Sequence, residues 1–145
     1  MKAAPFRLLG VSLGGLVAQH IAAPGGGLVD WVGFIDTVAC YPDELRRMWR
    51  DRSAAVLEAG PGHYVEATLN TWFTDAFRGS LRGTIAADHV RTSLTAMKPS
   101  AYRTACQVLE QAHETRRLSS IGVPTLVVYG EQDAVAFHDA VHTFE

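Results

Sequence analysis

Phe6-Arg-Leu-Leu-Gly-Val-Ser-Leu-Gly-Gly-Leu-Val-Ala-Gln-His-Ile-Ala-Ala23 is the stretch from which the rest of the chain is read. Its first residues are apolar and of strand length. Its later part, with Leu13, Leu16, Val17 and Ile21, keeps helical spacing. Between them, Gly10-Val11-Ser12-Leu13-Gly14 has the G-x-S-x-G form of a nucleophile elbow, a strand that reverses directly into a helix with serine at the apex. The glycines have a steric reason. The apex residue is strained, and small residues two positions to either side let strand and helix pass without a Cβ between them. Gly15 adds another small residue at the helix start. In such a bend the Ser12 hydroxyl stands exposed at the carboxyl end of the sheet. The Leu13 amide, at the helix N-terminus, points at any anion forming there. Taken alone, the stretch is equally compatible with a plain strand–turn–helix carrying a surface serine. The phosphate-loop readings fail, since there is no G-x-G-x-x-G and no lysine follows.

Beyond this stretch, Pro24-Gly25-Gly26-Gly27 ends the helix in a turn. Leu28 to Ile35 reads as a second strand, apolar on both faces and so suited to a parallel sheet covered on both sides. Strand, helix and strand form a βαβ unit, expected to cross over right-handedly. Asp36 and Thr37 fall at the end of the second strand. The next part changes character and reads as helices over Asp43–Ala59, His63–Phe73, Thr84–Met97 and Pro99–Ala112. Helices inserted between strands of one sheet commonly cap its carboxyl edge and exclude water, although most of their aromatic and Met side chains serve simply as core. Val123 to Gly130 is a third strand, with Pro124 at its start where a missing donor is tolerated. Gly130-Glu131-Gln132-Asp133 is a tight turn, and a helix begins near Ala136. The expected organisation is residues 1–40 and 118–145 as core and 41–117 as a helical cap.

Composition excludes several classes of function. At 145 residues and 48% hydrophobic content the chain fits one modest globular domain. Thirteen basic against fifteen acidic residues give a net charge of −2, which offers no electrostatic case for nucleic acid or a membrane surface. Cys40 and Cys106 lack metal or redox spacing and read as free thiols in a reducing compartment. No apolar run is long enough to span a bilayer, and the first five residues are too short for a secretory signal. A cytoplasmic protein is the simplest expectation. His138 and His142 have the i, i+4 spacing of a metal pair, but no third ligand is apparent, so no metal site is expected.

Ser12 ends one parallel strand and Asp133 follows a later one, and in open α/β sheets ligands bind at the carboxyl ends of the strands. The Ser12 elbow, together with Val123-Pro-Thr-Leu-Val-Val-Tyr-Gly-Glu-Gln-Asp133, resembles the α/β-hydrolase fold, whose catalytic residues run in the order Ser, acid, His. Asn70-Thr-Trp-Phe-Thr-Asp-Ala-Phe-Arg78 and Ser100-Ala-Tyr-Arg-Thr-Ala-Cys-Gln-Val108 are similar to segments of the 3-oxoadipate enol-lactonases. Related esterases and cofactor-free haloperoxidases share parts of them.

The resemblance implies a partial α/β-hydrolase fold, with parallel strands and a helical cap between the second and third. It implies Ser12 as nucleophile toward a small-molecule ester or lactone, Asp133 as the residue that orients and stabilises a histidine base, the Leu13 amide as one oxyanion donor, and Trp72 as a pocket residue. No cofactor is implied. The family also has several strands before the elbow, a loop supplying the second oxyanion amide, and a histidine after one further strand. None of these has a counterpart here, so the chain is expected to be a fragment, a shortened product or half of a split domain. His20, His63, His89, His113, His138 and His142 each read as solvated or locally satisfied. Without a base, Ser12 is a poor nucleophile near neutral pH. The first strand is expected to leave one apolar edge unpaired and open to self-association. A binding-only remnant of the same fold and a haloperoxidase-like enzyme are the competing expectations.

Overall fold

A computed structural model of the chain describes residues 5–23 and 27–144. The expected turn at Pro24–Gly26 lies outside the described residues, and Gly27, which follows it, has φ +67°. The chain forms two compact units, Met1–Asp43 with Gln111–Glu145, and Glu44–Glu110.

The first unit is built on a three-stranded parallel sheet in the order β1 (Phe6–Val11), β2 (Val29–Ile35), β3 (Thr125–Val128). Helix α1 (Leu13–Ala22) joins β1 to β2. The short α7 (Thr115–Leu118) precedes β3, and α8 (Val135–Phe144) follows it. β2 is the central strand, which is why it is apolar on both faces: Val29, Val32 and Phe34 are buried, and with Ala18 and Ala22 of α1 they form the core of this unit. Leu8, Ile121, Val123, Val127 and Phe144 pack around them. β1 pairs with β2 alone among the described residues, and Phe6, Leu9 and Val11 are exposed.

Helix α1 buries a different face from the one its large residues suggest. Gly15, Leu16, Ala18, Gln19 and Ala22 are buried, whereas Val17 and Ile21 are exposed. The close approach of α1 to the sheet selects small side chains for the inner face. A Cβ on Gly15 would fall 2.5–2.6 Å from the Thr37 side chain. Gln19 is fully buried and its Nε2 donates to Val38 O at 3.0 Å, tying the helix to the loop after β2. That loop is pinned again where the chain returns: the Glu114 amide donates to Ala39 O at 2.7 Å, and Cys40 and His113 form an isolated antiparallel bridge.

The second unit is helical, with α2 (Asp43–Ala59) leading into it. A 3-10 turn over Pro61–Tyr64 precedes α3 (Val65–Trp72), so only the later part of the expected His63–Phe73 helix is α-helical; Pro61 starts the tighter turn after Gly60 at φ +74°. Then come α4 (Asp75–Arg78), α5 (Leu81–Ala96) and α6 (Pro99–Gln111). Helix α5 starts three residues earlier than the sequence suggests because Ser80 caps it, its hydroxyl accepting from the Gly83 amide at 3.0 Å. Thr74 caps α4 in the same way through the Phe77 amide.

Val56, Val65, Leu69, Ala87, Val90, Leu94, Tyr102 and Cys106 make a single apolar core. The Tyr64 and Tyr102 rings stack at 5.5 Å, and the Arg52 guanidinium lies 5.1 Å from Tyr64 and 5.3 Å from Trp49. Leu69 is fully buried and Leu57 half exposed. Leu69→Ala is therefore expected to destabilise the chain by about 2–5 kcal/mol in urea denaturation, and Leu57→Ala by about 0.5 kcal/mol or less. Equal effects would contradict this assignment of the core.

Candidate active site

The sheet register brings three strand ends to one level. Val11 is paired with Ile35, and Ile35 with Val128. The next residues out are Ser12 on β1 and Asp36 on β2, while Asp133 stands in the turn after β3. The ladder extends one step past the strands: the Ser12 amide donates to Ile35 O and the Asp36 amide to Val128 O, each at 2.9 Å. Strands in a sheet lie just under 5 Å apart, so the axes of β1 and β3 are separated by about 10 Å across β2.

Ser12 is the bend. It has φ 52° and ψ −118°, a backbone conformation costly for a residue with a Cβ. Four hydrogen bonds hold it there. Besides the amide bond to Ile35, the Ser12 carbonyl accepts from the Thr37 hydroxyl at 2.8 Å, from the Gly15 amide at 2.8 Å and from the Leu16 amide at 3.3 Å. The Ser12 hydroxyl, half-buried, makes no hydrogen bond among the described residues, and neither does the Leu13 amide in the first helical position. Gly10 supplies the close approach, since a Cβ there would run into the backbone of Gly14 and Gly15. The expected matching role for Gly14 is corrected: nothing lies within 4 Å of where its Cβ would be. The second steric contact is at Gly15, against Thr37.

Asp133 closes the turn after β3. Its amide donates to Gly130 O at 3.1 Å and its carboxylate accepts from the Gly130 amide at 2.9 Å. The same Gly130 amide also reaches the Asp36 carboxylate, at 3.1 Å. Asp36 is the second non-glycine residue with positive φ, 42°. Its carboxyl is held above the ordinary 3.8, first by burial, then by a hydrogen bond to the Asp133 carboxyl and repulsion from its charge; the Gly130 amide pulls the other way. Folded Asp36 thus binds its proton more tightly than unfolded Asp36. Stability is expected to fall as pH rises through the window above 3.8. Urea midpoints measured across that window should lose this component in Asp36→Asn.

Asp36 and Thr37 are recognisable in sequence only as strand-end residues. What gives them weight is tertiary: a contact across to α1 for Thr37 and across to the β3 turn for Asp36.

The histidines have other neighbours. His20 Nδ1 lies 3.4 Å from Glu114, the His138 ring meets Tyr129 edge-on at 5.0 Å, and that of His63 meets Tyr64 at 5.1 Å. Among the described residues no histidine hydrogen-bonds to Ser12 or Asp133, and no group of three metal-ligating side chains is found. Trp72, the last residue of α3 in the helical unit, is 62% exposed. A cavity of about 330 Å³ in the sheet unit, between Tyr41 and Ala140, is lined by neither Ser12 nor Asp133. Burial there pushes the Tyr41 phenol up to about 12.

The parallel sheet with helices, in which β1 turns through Ser12 straight into α1, is part of an α/β-hydrolase fold, matching about half the length of solved structures of that fold. The enol-lactonase of Burkholderia xenovorans LB400 superposes with a TM-score of 0.83 at 21% identity, over 97% of this chain and 54% of that one. An alpha/beta hydrolase from a Medee basin deep-sea metagenome superposes with a TM-score of 0.79 at 17% identity, over 97% and 52%. No family model matches the chain. In sequence it is similar to 3-oxoadipate enol-lactonase 1 of Acinetobacter baylyi, 27% identical over 135 residues, which cover 87% of this chain and 46% of the relative. The chain spans about half the length of the curated relatives it matches. No helix among the described residues is long and apolar enough to cross a membrane.

Proposed function

We propose that Ser12 and Asp133 are the nucleophile and the acid of a serine hydrolase that cleaves a small carboxylic ester or opens a lactone, in the manner of the enol-lactonases. The observation that carries this reading is the strained Ser12 bend, its hydroxyl unpartnered among the described residues, at the same carboxyl end of the sheet as the Asp133 turn. A residue with a Cβ is held at φ 52° only where the fold over-determines its backbone, here by four hydrogen bonds, and such strain collects at functional positions.

In this mechanism the Ser12 hydroxyl attacks the substrate carbonyl and gives its proton to a histidine base. The oxyanion is met by the Leu13 amide, a donor aligned by α1. Asp133 orients the imidazole and stabilises its charged form. The protonated base then returns its proton to the leaving oxygen, and water releases the acyl group from Ser12. The gap of about 10 Å between the β1 and β3 axes leaves room for one imidazole between hydroxyl and carboxylate. Among the described residues no histidine hydrogen-bonds to Ser12 or Asp133, so this reading assigns the base to none of them. In this reading the protein works in the cytoplasm. The free edge of β1, with Leu9 and Val11 exposed, favours self-association. Sedimentation that stays monomeric across the micromolar range would remove that last element.

The test supplies the missing parts. The chain is fused at both ends to the flanking segments of the Acinetobacter enol-lactonase 1 and assayed with p-nitrophenyl acetate. Turnover that disappears in Ser12→Ala supports the proposal, and turnover unchanged in Ser12→Ala refutes it. The binding-only reading rests on the absence of a histidine partner for Ser12 among the described residues. It is overturned if the 145-residue chain alone turns over the same ester in a Ser12-dependent way.

A further inference from the structure

We propose that Asp36 is a positioning residue for Asp133, the two carboxyl groups forming one acid site gripped by the single N–H of Gly130. This rests on the reading of Asp133 as the acid. The geometry is specific. Asp36 ends the central strand and Asp133 ends the turn after its neighbour, yet both accept from one amide, at 3.1 and 2.9 Å. Asp36 reaches it with its backbone at φ 42°, immediately after its own amide has closed the last rung with Val128. A strained residue whose side chain competes for a donor already used by Asp133 is not explained by turn formation, because the Gly130–Asp133 turn has its own bond from the Asp133 amide to Gly130 O.

The pairing has two physical consequences for Asp133. The first concerns orientation. The carboxylate of Asp133 is held on one side by Gly130, and rotation toward β2 meets a like charge, so its remaining lone pairs are left for a third group. The second concerns charge. Two carboxyls this close cannot both ionise without repulsion. A cationic imidazolium arriving at the strand ends relieves that repulsion, and the pair therefore stabilises it more than one carboxylate does. Asp133 is the ionisable group that acts on Asp36; its other influences are burial and the Gly130 amide.

The experiment is a pH titration of the 145-residue chain by NMR, following the Asp36 carboxyl carbon and the Gly130 amide. Asp36→Asn is a mild change, since asparagine tolerates positive φ better than most residues. The expected Asp36 midpoint lies above 3.8 in the parent chain and shifts down in Asp133→Asn. The Gly130 amide is expected to follow the Asp36 carboxyl, and to lose that response in Asp36→Asn. An Asp36 midpoint unmoved by Asp133→Asn, or a Gly130 amide indifferent to Asp36→Asn, overturns the pairing. In the fused chain, Asp36→Asn is expected to lower kcat with KM unchanged, a split that a purely structural role would not produce. Failures of the two readings are distinguishable. An unpaired Asp36 with Ser12-dependent turnover intact removes this inference alone. A paired Asp36 without Ser12-dependent turnover removes the hydrolase reading, and the positioning role with it.

Discussion

Gly10→Ala is expected to be the most damaging single substitution in the sheet unit. A Cβ at position 10 would lie closer than 3.0 Å to the carbonyl carbon and oxygen of Gly14 and to the amide nitrogen of Gly15. All three are backbone atoms, so no rotamer change relieves the clash. Strand β1 and helix α1 would have to separate, and the Ser12 bend would open with them. Overpacking in a core costs about 1–3 kcal/mol, and a clash with backbone belongs at or above the upper end. The informative control is Gly14→Ala. Nothing lies within 4 Å of that position, and it sits inside α1, where alanine is favoured over glycine by roughly 0.5–1 kcal/mol. Urea denaturation should thus show opposite signs for two glycines of the same motif. Equal destabilisation by both would mean that the elbow is not packed as described.

The second large effect concerns Asp133. If Asp133 is the acid, Asp133→Ala in the fused chain is expected to lower kcat for p-nitrophenyl acetate by about 10⁴-fold, the cost of disabling the aspartate of a catalytic triad. Asp133 is only partly buried and its fold contacts are local to the turn, so the variant should keep its thermal midpoint within a few degrees. A loss of activity that tracks a loss of folding would reassign Asp133 to turn formation. A loss below tenfold would show that the charge near the base comes from elsewhere, such as Asp36, which shares the Gly130 amide.

The βαβ beginning was legible because its signals are local. An apolar run, a serine between glycines and a helical repeat lie within eighteen residues, and β1 and α2 start and end where the sequence places them. The inner face of α1 was not legible. Hydrophobicity points to Val17 and Ile21, but the close approach to Thr37 selects Gly15, and packing on Val29, Val32 and Phe34 buries Ala18 and Ala22 instead. The four-residue helices α4 and α7 are too short to carry a period, so only the Thr74 cap could have announced the first of them. In the candidate site, Ser12 and Asp133 stand out because each is embedded in a turn motif. Thr37 and Asp36 do not, because their partners lie 25 and 94 residues away, and no spacing rule reaches that far.

If Ser12 is the nucleophile, a reagent that acylates or phosphonylates activated serines will capture it covalently. The fused chain is treated with a fluorophosphonate and the modified peptide is identified by mass spectrometry. A single adduct on Ser12 is expected, absent in Ser12→Ala and formed far more slowly in Asp133→Ala. A folded fused chain that takes up no adduct, or carries it on another residue, would rule out Ser12 as the nucleophile.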